Sequence, residues 1–121
     1  MAKQGTRHRR VGEQMQRELA ALIQQELTDR RFGLITVQAV EVSRDLSHAK
    51  VFVTALNTEE PHEAVVAHLR QAAGFLRHEL GRRMAIRSIP ELHFVYDTSV
   101  ERGSALSRLI DEAVAGDRNK S

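Results

Sequence analysis

Between Arg7 and Thr28 the apolar residues fall at Val11, Met15, Leu19, Leu22, Ile23 and Leu27. Steps of three, four and one keep these side chains on one helical face, with Arg, Glu and Gln opposite. The helix is expected to stop near Asp29, because Gly33 follows and β-branched residues then take over. Ile35 to Ser43 reads as a strand in which Ile35, Val37 and Ala39 alternate before the phase slips to Val40 and Val42. A slip of that kind predicts a bulge or strong twist near Ala39. Ala49 to Leu56 reads as a second strand, with Val51 and Val53 on one face and Phe52 on the other. Asp45-Leu46-Ser47-His48 between them is rich enough in turn formers to close an antiparallel hairpin.

Asn57-Thr58-Glu59-Glu60-Pro61 then carries helix-start chemistry: candidate caps, early acids, and a proline tolerated only in the first turn. A stripe at Val65, Leu69, Ala72, Leu76 and Leu80 continues the helical pattern to about Met84. Gly74 interrupts it at a cost of about 1 kcal/mol relative to alanine. The segment is therefore one broken helix or two helices meeting near Gly74. Glu91 to Asp97 reads as a third strand, with Leu92, Phe94 and Tyr96 facing the core and His93 and Val95 opposite. A last helix is expected from Ser104 to Ala115, with Gly116 as its stop.

The order is α-β-β-α-(break)-α-β plus a terminal helix, an α+β arrangement with helices packed on one face of the sheet. The stretch joining the second strand to the third is long enough for a parallel crossover. Residues 7–115 are expected to form one domain, with 1–6 a flexible basic N-terminus and 116–121 a disordered tail.

Composition narrows the function classes. With 121 residues, 41% of them hydrophobic, the chain can bury one core. It has no cysteine, which excludes disulfides and thiolate metal sites. No apolar run approaches the roughly 20 residues that span a bilayer, and no apolar segment of a secretory signal follows the basic start. A cytoplasmic protein without membrane contact is expected. Net charge is only +2, but residues 1–12 and 70–87 each carry +4 and the remainder nets −6. Positive charge gathered into two segments is the footprint of a polyanion binder, although solvated helix faces would look the same.

Candidate chemistry is sparse. The six histidines, His8, His48, His62, His68, His78 and His93, include no pair at the i, i+4 spacing of a helical zinc motif, and no metal or cofactor is expected. Asp45, Ser47 and His48 supply the residue types of a hydrolytic triad, but neighbours within one tight turn cannot line up nucleophile, base and orienter. Gly74 and Gly81 lack the lysine of a phosphate loop. No catalytic constellation emerges.

What remains is a basic face. On a helical wheel Gly74, Arg77 and Gly81 lie within about 40° of Arg70, and the apolar stripe is centred roughly 110° away. Glycines there would let a phosphate backbone approach, and arginine supplies forked donors. The plain alternative is that Gly74 merely permits a kink.

The run Gln71-Ala72-Ala73-Gly74-Phe75-Leu76-Arg77, followed by Leu80-Gly81, resembles the Ala-x-Gly interhelical kink of the ribosome-binding factor A family. Val42 to Val51 (VSRDLSHAKV) and Ile89 to Ser99 (IPELHFVYDTS) resemble it too, so the likeness covers roughly residues 7 to 110. The resemblance implies a type II KH-like fold in which this kink, shaped by Ala72, Ala73 and Gly74, replaces the usual Gly-x-x-Gly loop. It also implies binding of the free small (30S) ribosomal subunit and assistance to late maturation of 16S rRNA near its 5′-terminal helix, with support of growth in the cold. A subunit-associated GTPase is implied as the releasing partner, and a monomer is expected. RNA contacts are expected from Lys3, Arg7, Arg9 and Arg10 in the first segment, and from Arg70, Arg77, Arg82, Arg83 and Arg87 in the second. With five aromatic residues in all, phosphate and ribose contacts are expected to outweigh base stacking. Three readings stay open beside this one: a KH module serving another RNA, an α+β enzyme, and a protein–protein adaptor.

Overall fold

A computed structural model describes residues 2–99, with side chains from Thr6 onward. The helix and tail expected beyond Ser104 lie outside the described residues.

The first helix, α1, spans Ala2–Glu26, and Val11, Met15, Leu19, Leu22 and Ile23 are all buried along it. It starts upstream of the expected Arg7, since Ala2, Lys3 and Gln4 are good helix formers. It also stops short of Asp29, because that carboxylate is committed elsewhere. Asp29 caps a 3-10 turn at Arg30–Phe32, accepting from the Arg31 backbone N–H at 2.9 Å. That bond, and a second from the Arg31 side chain, hold the Asp29 carboxyl below its ordinary range. Gly33 ends the turn at φ 60°, where a β-carbon would sit 2.0 Å from the Leu56 carbonyl oxygen. No other residue type fits there.

Strands β1 (Leu34–Val42) and β2 (His48–Leu56) pair antiparallel, and β3 (Glu91–Tyr96) pairs parallel to β2, giving the order β1-β2-β3. The phase slip read from the sequence is a bulge. Val37 pairs with Val53, but it is Ala39 that pairs with Phe52, leaving Gln38 as the extra residue. Gln16 of α1 reaches this point, its Nε2 donating to the Gln38 carbonyl at 3.1 Å. The hairpin turn is organised by Asp45, whose Oδ1 accepts from the Ser43 and Ser47 hydroxyls at 2.7 Å each and from the Ser47 N–H at 3.1 Å. Three donors on one oxygen stabilise the anion and lower the Asp45 pKa from 3.8 to about 2.

Helices α2 (His62–Gln71) and α3 (Ala73–Arg83) carry the chain from the end of β2 to the start of β3. The break falls at Ala72, two residues before the glycine that announced it. Ala72 sits at φ −93°, ψ 1°, which ordinary residues tolerate, so the kink does not need glycine's freedom at that position. Helices α1, α2 and α3 cover one face of the sheet. Val51, Val53, Leu69, Leu76, Leu80 and Phe94 interlock beneath them at 2% exposure or less. Burying one such side chain contributes roughly 1.5–3 kcal/mol.

One close approach sets the distance between α1 and the sheet. A β-carbon on Gly12 would lie 2.7 Å from the Val40 carbonyl oxygen, a backbone atom that cannot swing aside. Gly12→Ala should therefore destabilise the protein by about 1–3 kcal/mol in urea unfolding. A change below about 0.5 kcal/mol, the usual surface range, would show that the helix can lift off without cost. For Asp45 the depressed pKa means that its stabilising contribution is complete above about pH 4 and disappears as pH falls through about 2. The melting-temperature gap between wild type and Asp45→Ala should accordingly be open at neutral pH and close on acidification towards pH 2. A gap that persists unchanged would mean that the carboxylate charge is not what holds the turn.

Candidate nucleic-acid interface

The basic residues are distributed by the kink. While α2 and α3 are treated as one helix, Arg70, Arg77 and the two glycines share a face; with a break at Ala72 they part. Arg70 belongs to α2 and lines a groove between that helix and the edge of β3, together with His62, Glu63, Val66, Phe94 and Tyr96. The Tyr96 ring stacks on His62 at 3.6 Å, and its hydroxyl donates to the Ala55 carbonyl while accepting from the Ala55 N–H. The groove is thus a packed feature of the α2–β3 seam, with Arg70 at its rim.

Beyond the kink, Leu76 and Leu80 are the buried face of α3, and Gly74, Phe75, Arg77, His78, Gly81, Arg82 and Arg83 are exposed. Nothing lies within 4 Å of where a Gly74 β-carbon would be, whereas one on Gly81 would touch the Ile89 side chain at 3.8 Å. Of the two, Gly74 alone leaves open helix surface. The arginines also differ in freedom. Arg77 donates from Nη2 to the Ile89 carbonyl at 2.8 Å, pinning the loop that leads into β3. Arg83 reaches α1 and pairs with Glu18 at 3.4 Å, and Arg82 has a looser 3.7 Å contact with Glu79 one turn back. Arg82 keeps 70% of its side chain in solvent. An exposed pair of that kind contributes little to stability, so the guanidinium is available to an external anion.

Arg7, Arg9 and Arg10 occupy the exposed side of the early turns of α1, and Lys3 lies in the first turn. Arg9 borders a shallow groove shared with His8, Glu13 and Val40 to Val42. That is the end of the sheet at which β3 begins, because Val42 pairs with Ala49 and Ala49 with Leu92. Arg87, exposed on the loop into β3, approaches the same end. The two basic segments, far apart in the chain, therefore flank one end of the molecule, while Arg70 stands apart along the β3 edge. A cationic helix face with open surface at Gly74, continued by basic residues on α1 and on a loop, can hold phosphates without reading bases.

Two features escape any reading of spacing along the chain. Phe75 is an aromatic ring 43% exposed on α3, beside the open surface at Gly74. On the uncovered sheet face, the parallel register places His48 opposite Glu91, with His93 one step further on. The exposure of Phe75 follows from the kink, and the meeting of His48 with Glu91 and His93 follows from the strand register.

Comparison with known proteins gives this surface a context. A family model described as ribosome-binding factor A matches residues 7–110. Ribosome-binding factor A of Stutzerimonas stutzeri is 56% identical over 124 residues, spanning 100% of this chain and 96% of that protein. The Azotobacter vinelandii protein of the same name is 56% identical, spanning 98% and 94%. Among solved structures, the crystal structure of ribosome-binding factor A from Thermus thermophilus aligns with a TM-score of 0.66 at 35% identity, covering 74% of this chain and 93% of that one. A Thermus thermophilus ribosome-binding factor A model fitted into a cryo-EM map of a 30S complex aligns at 0.63 and 36% identity, covering 72% and 91%.

The Arg77 tether can be tested by itself. Arg77→Ala should raise amide hydrogen exchange across residues 85–90 while exchange in β1 and β2 stays as in the wild type. Unchanged exchange in that loop would mean the bond to Ile89 carries no weight.

Proposed function

The chain belongs to the ribosome-binding factor A family, and from that premise we propose that it binds the free small ribosomal subunit and assists late maturation of 16S rRNA near its 5′-terminal helix. The observation that carries the reading is the family match over residues 7–110. The 30S complex of the Thermus thermophilus neighbour supports the partner, and the basic, glycine-opened face of α3 supports RNA as what is touched.

In this reading the protein acts by occupancy and not by catalysis. The two carboxylates held below their ordinary range, Asp29 and Asp45, are turn caps and not acid–base machinery. Arg82, Arg87, Arg7, Arg9 and Arg10 are the contacts least committed elsewhere, and Lys3 extends the same segment. Arg77 and Arg83 hold the surface in shape and meet phosphate with the donors left over, while Arg70 extends contact along the β3 edge. The kink at Ala72, Ala73 and Gly74 sets the angle of the basic helix. Phe75 adds one stacking platform to a surface otherwise built for backbone contact. Residues 7–115 work as one domain, the protein acts in the cytoplasm as a monomer, and a subunit-associated GTPase promotes release. No described helix is long and apolar enough to cross a membrane.

The decisive experiment is co-sedimentation with purified small subunits and with assembled ribosomes. Association with free subunits and not with assembled ribosomes is expected. Equal binding to both, or preference for an unrelated RNA, would transfer the protein to a general KH-type role. Arg82→Ala should weaken subunit binding and reduce the slope of log K against log salt by about 0.7–0.9. The slope should fall likewise for Arg77→Ala. An unchanged slope in either variant would remove that residue from the interface.

A further inference from the structure

We propose that His48, His93 and Glu91 form a divalent transition-metal site on the uncovered face of the sheet, with the two-imidazole, one-carboxylate donor set that takes zinc. The three residues come from two strands. His48 opens β2 and Glu91 opens β3, and the parallel register sets them side by side. His93 follows Glu91 by two residues, so both point to the same face.

The donor atoms converge. His48 Nδ1 lies 3.0 Å from His93 Nε2 and 3.7 Å from a Glu91 carboxylate oxygen, and one donor atom from each residue falls within 4.8 Å of the others. Zinc–nitrogen and zinc–oxygen bonds of about 2.0–2.2 Å place neighbouring donors of a tetrahedral ion roughly 3.3 Å apart. The two His48 separations bracket that value and the remaining donor pair lies within 4.8 Å, so side-chain rotations complete the set. All three residues are exposed, which leaves the remaining position to water or another external donor. Two imidazoles and one carboxylate suit zinc, whereas magnesium and calcium prefer oxygen donors throughout.

The platform beneath is fixed. The His48 N–H donates to the Ser43 hydroxyl at 3.0 Å, the His48 carbonyl accepts from the Ser43 N–H at 2.8 Å, and the Glu91 N–H donates to the Ser47 carbonyl at 2.9 Å. Asp45 in turn holds both serines. Backbone ordering is therefore in place before an ion arrives. The nearby Lys50 ammonium lies 5.9 Å from the Phe52 ring centroid, further along the same strand.

Without an ion, the two imidazoles can share one hydrogen bond through complementary tautomers. That is the competing account of their contact, and titration separates the two. Calorimetry of the tag-free full chain with zinc chloride should give one equivalent. His93→Gln and His48→Asn should each weaken binding at least about tenfold, with His78→Gln unchanged. In NMR spectra of the wild type, the His48 and His93 imidazole signals should shift together while those of His8, His62, His68 and His78 stay put. This second readout needs no variant to fold. Absence of binding, equal affinity in His93→Gln, or shifts centred on other histidines would overturn the site.

Discussion

The parallel pairing of β2 with β3 is the constraint from which the rest follows. Two parallel neighbours cannot be joined by a tight turn, because the chain leaves one end of β2 and must re-enter the sheet at the other. Residues 57–90 make that return over one face of the sheet. They do so as two helices and not one, and the bend at Ala72 lets Leu69 on one side and Leu76 and Leu80 on the other reach the same core. The bend then decides where each arginine goes. Arg70 stays against the β3 edge, whereas Arg77, Arg82 and Arg83 turn with α3 towards α1 and the loop into β3. The same pairing, on the opposite face, sets His48 beside Glu91.

The surface assigned to RNA is therefore also a structural surface. Arg77 holds the loop before β3 and Arg83 joins α3 to α1, so part of the positive charge is positioned by bonds to the protein itself. A guanidinium can serve in both ways because it has five N–H donors and a single partner uses one or two of them. The arrangement limits how far the charges can wander, which reduces the entropy lost when a phosphate is bound.

Much of the fold was legible in the sequence because local pattern and tertiary packing agree. The stripe from Val11 to Ile23, the phase slip around Ala39 and the core-facing set Leu92, Phe94 and Tyr96 all have the expected place, and the hairpin turn falls where expected except that His48 already belongs to β2. The failures share a cause. The helix end at Glu26 was obscured because Asp29 reads equally well as a last helical residue or as a cap. The pattern alone marks a break near Gly74, because glycine is the usual signal; the resemblance marks Ala72 to Gly74, and Ala72 carries the break with backbone angles that leave no mark on residue type. The common face of Arg70 and Arg77 presumed an unbroken helix, and the wheel loses its meaning across a bend. The close approaches at Gly12 and Gly33 leave no local sign, since they are made to the Val40 and Leu56 carbonyls, distant in sequence. The histidine pair is invisible for the same reason: 45 residues separate His48 from His93, and only strand register unites them.

The bulge at Gln38 bears on how such a protein survives at high concentration. β1 is an edge strand, and a regular edge offers a row of free amides and carbonyls to any strand that drifts past. Here the row is out of step at Gln38, and Gln16 from α1 already donates to the Gln38 carbonyl. A second chain trying to add to that edge meets a broken template and an occupied acceptor. The bulge thus blunts edge-to-edge pairing of one copy with another.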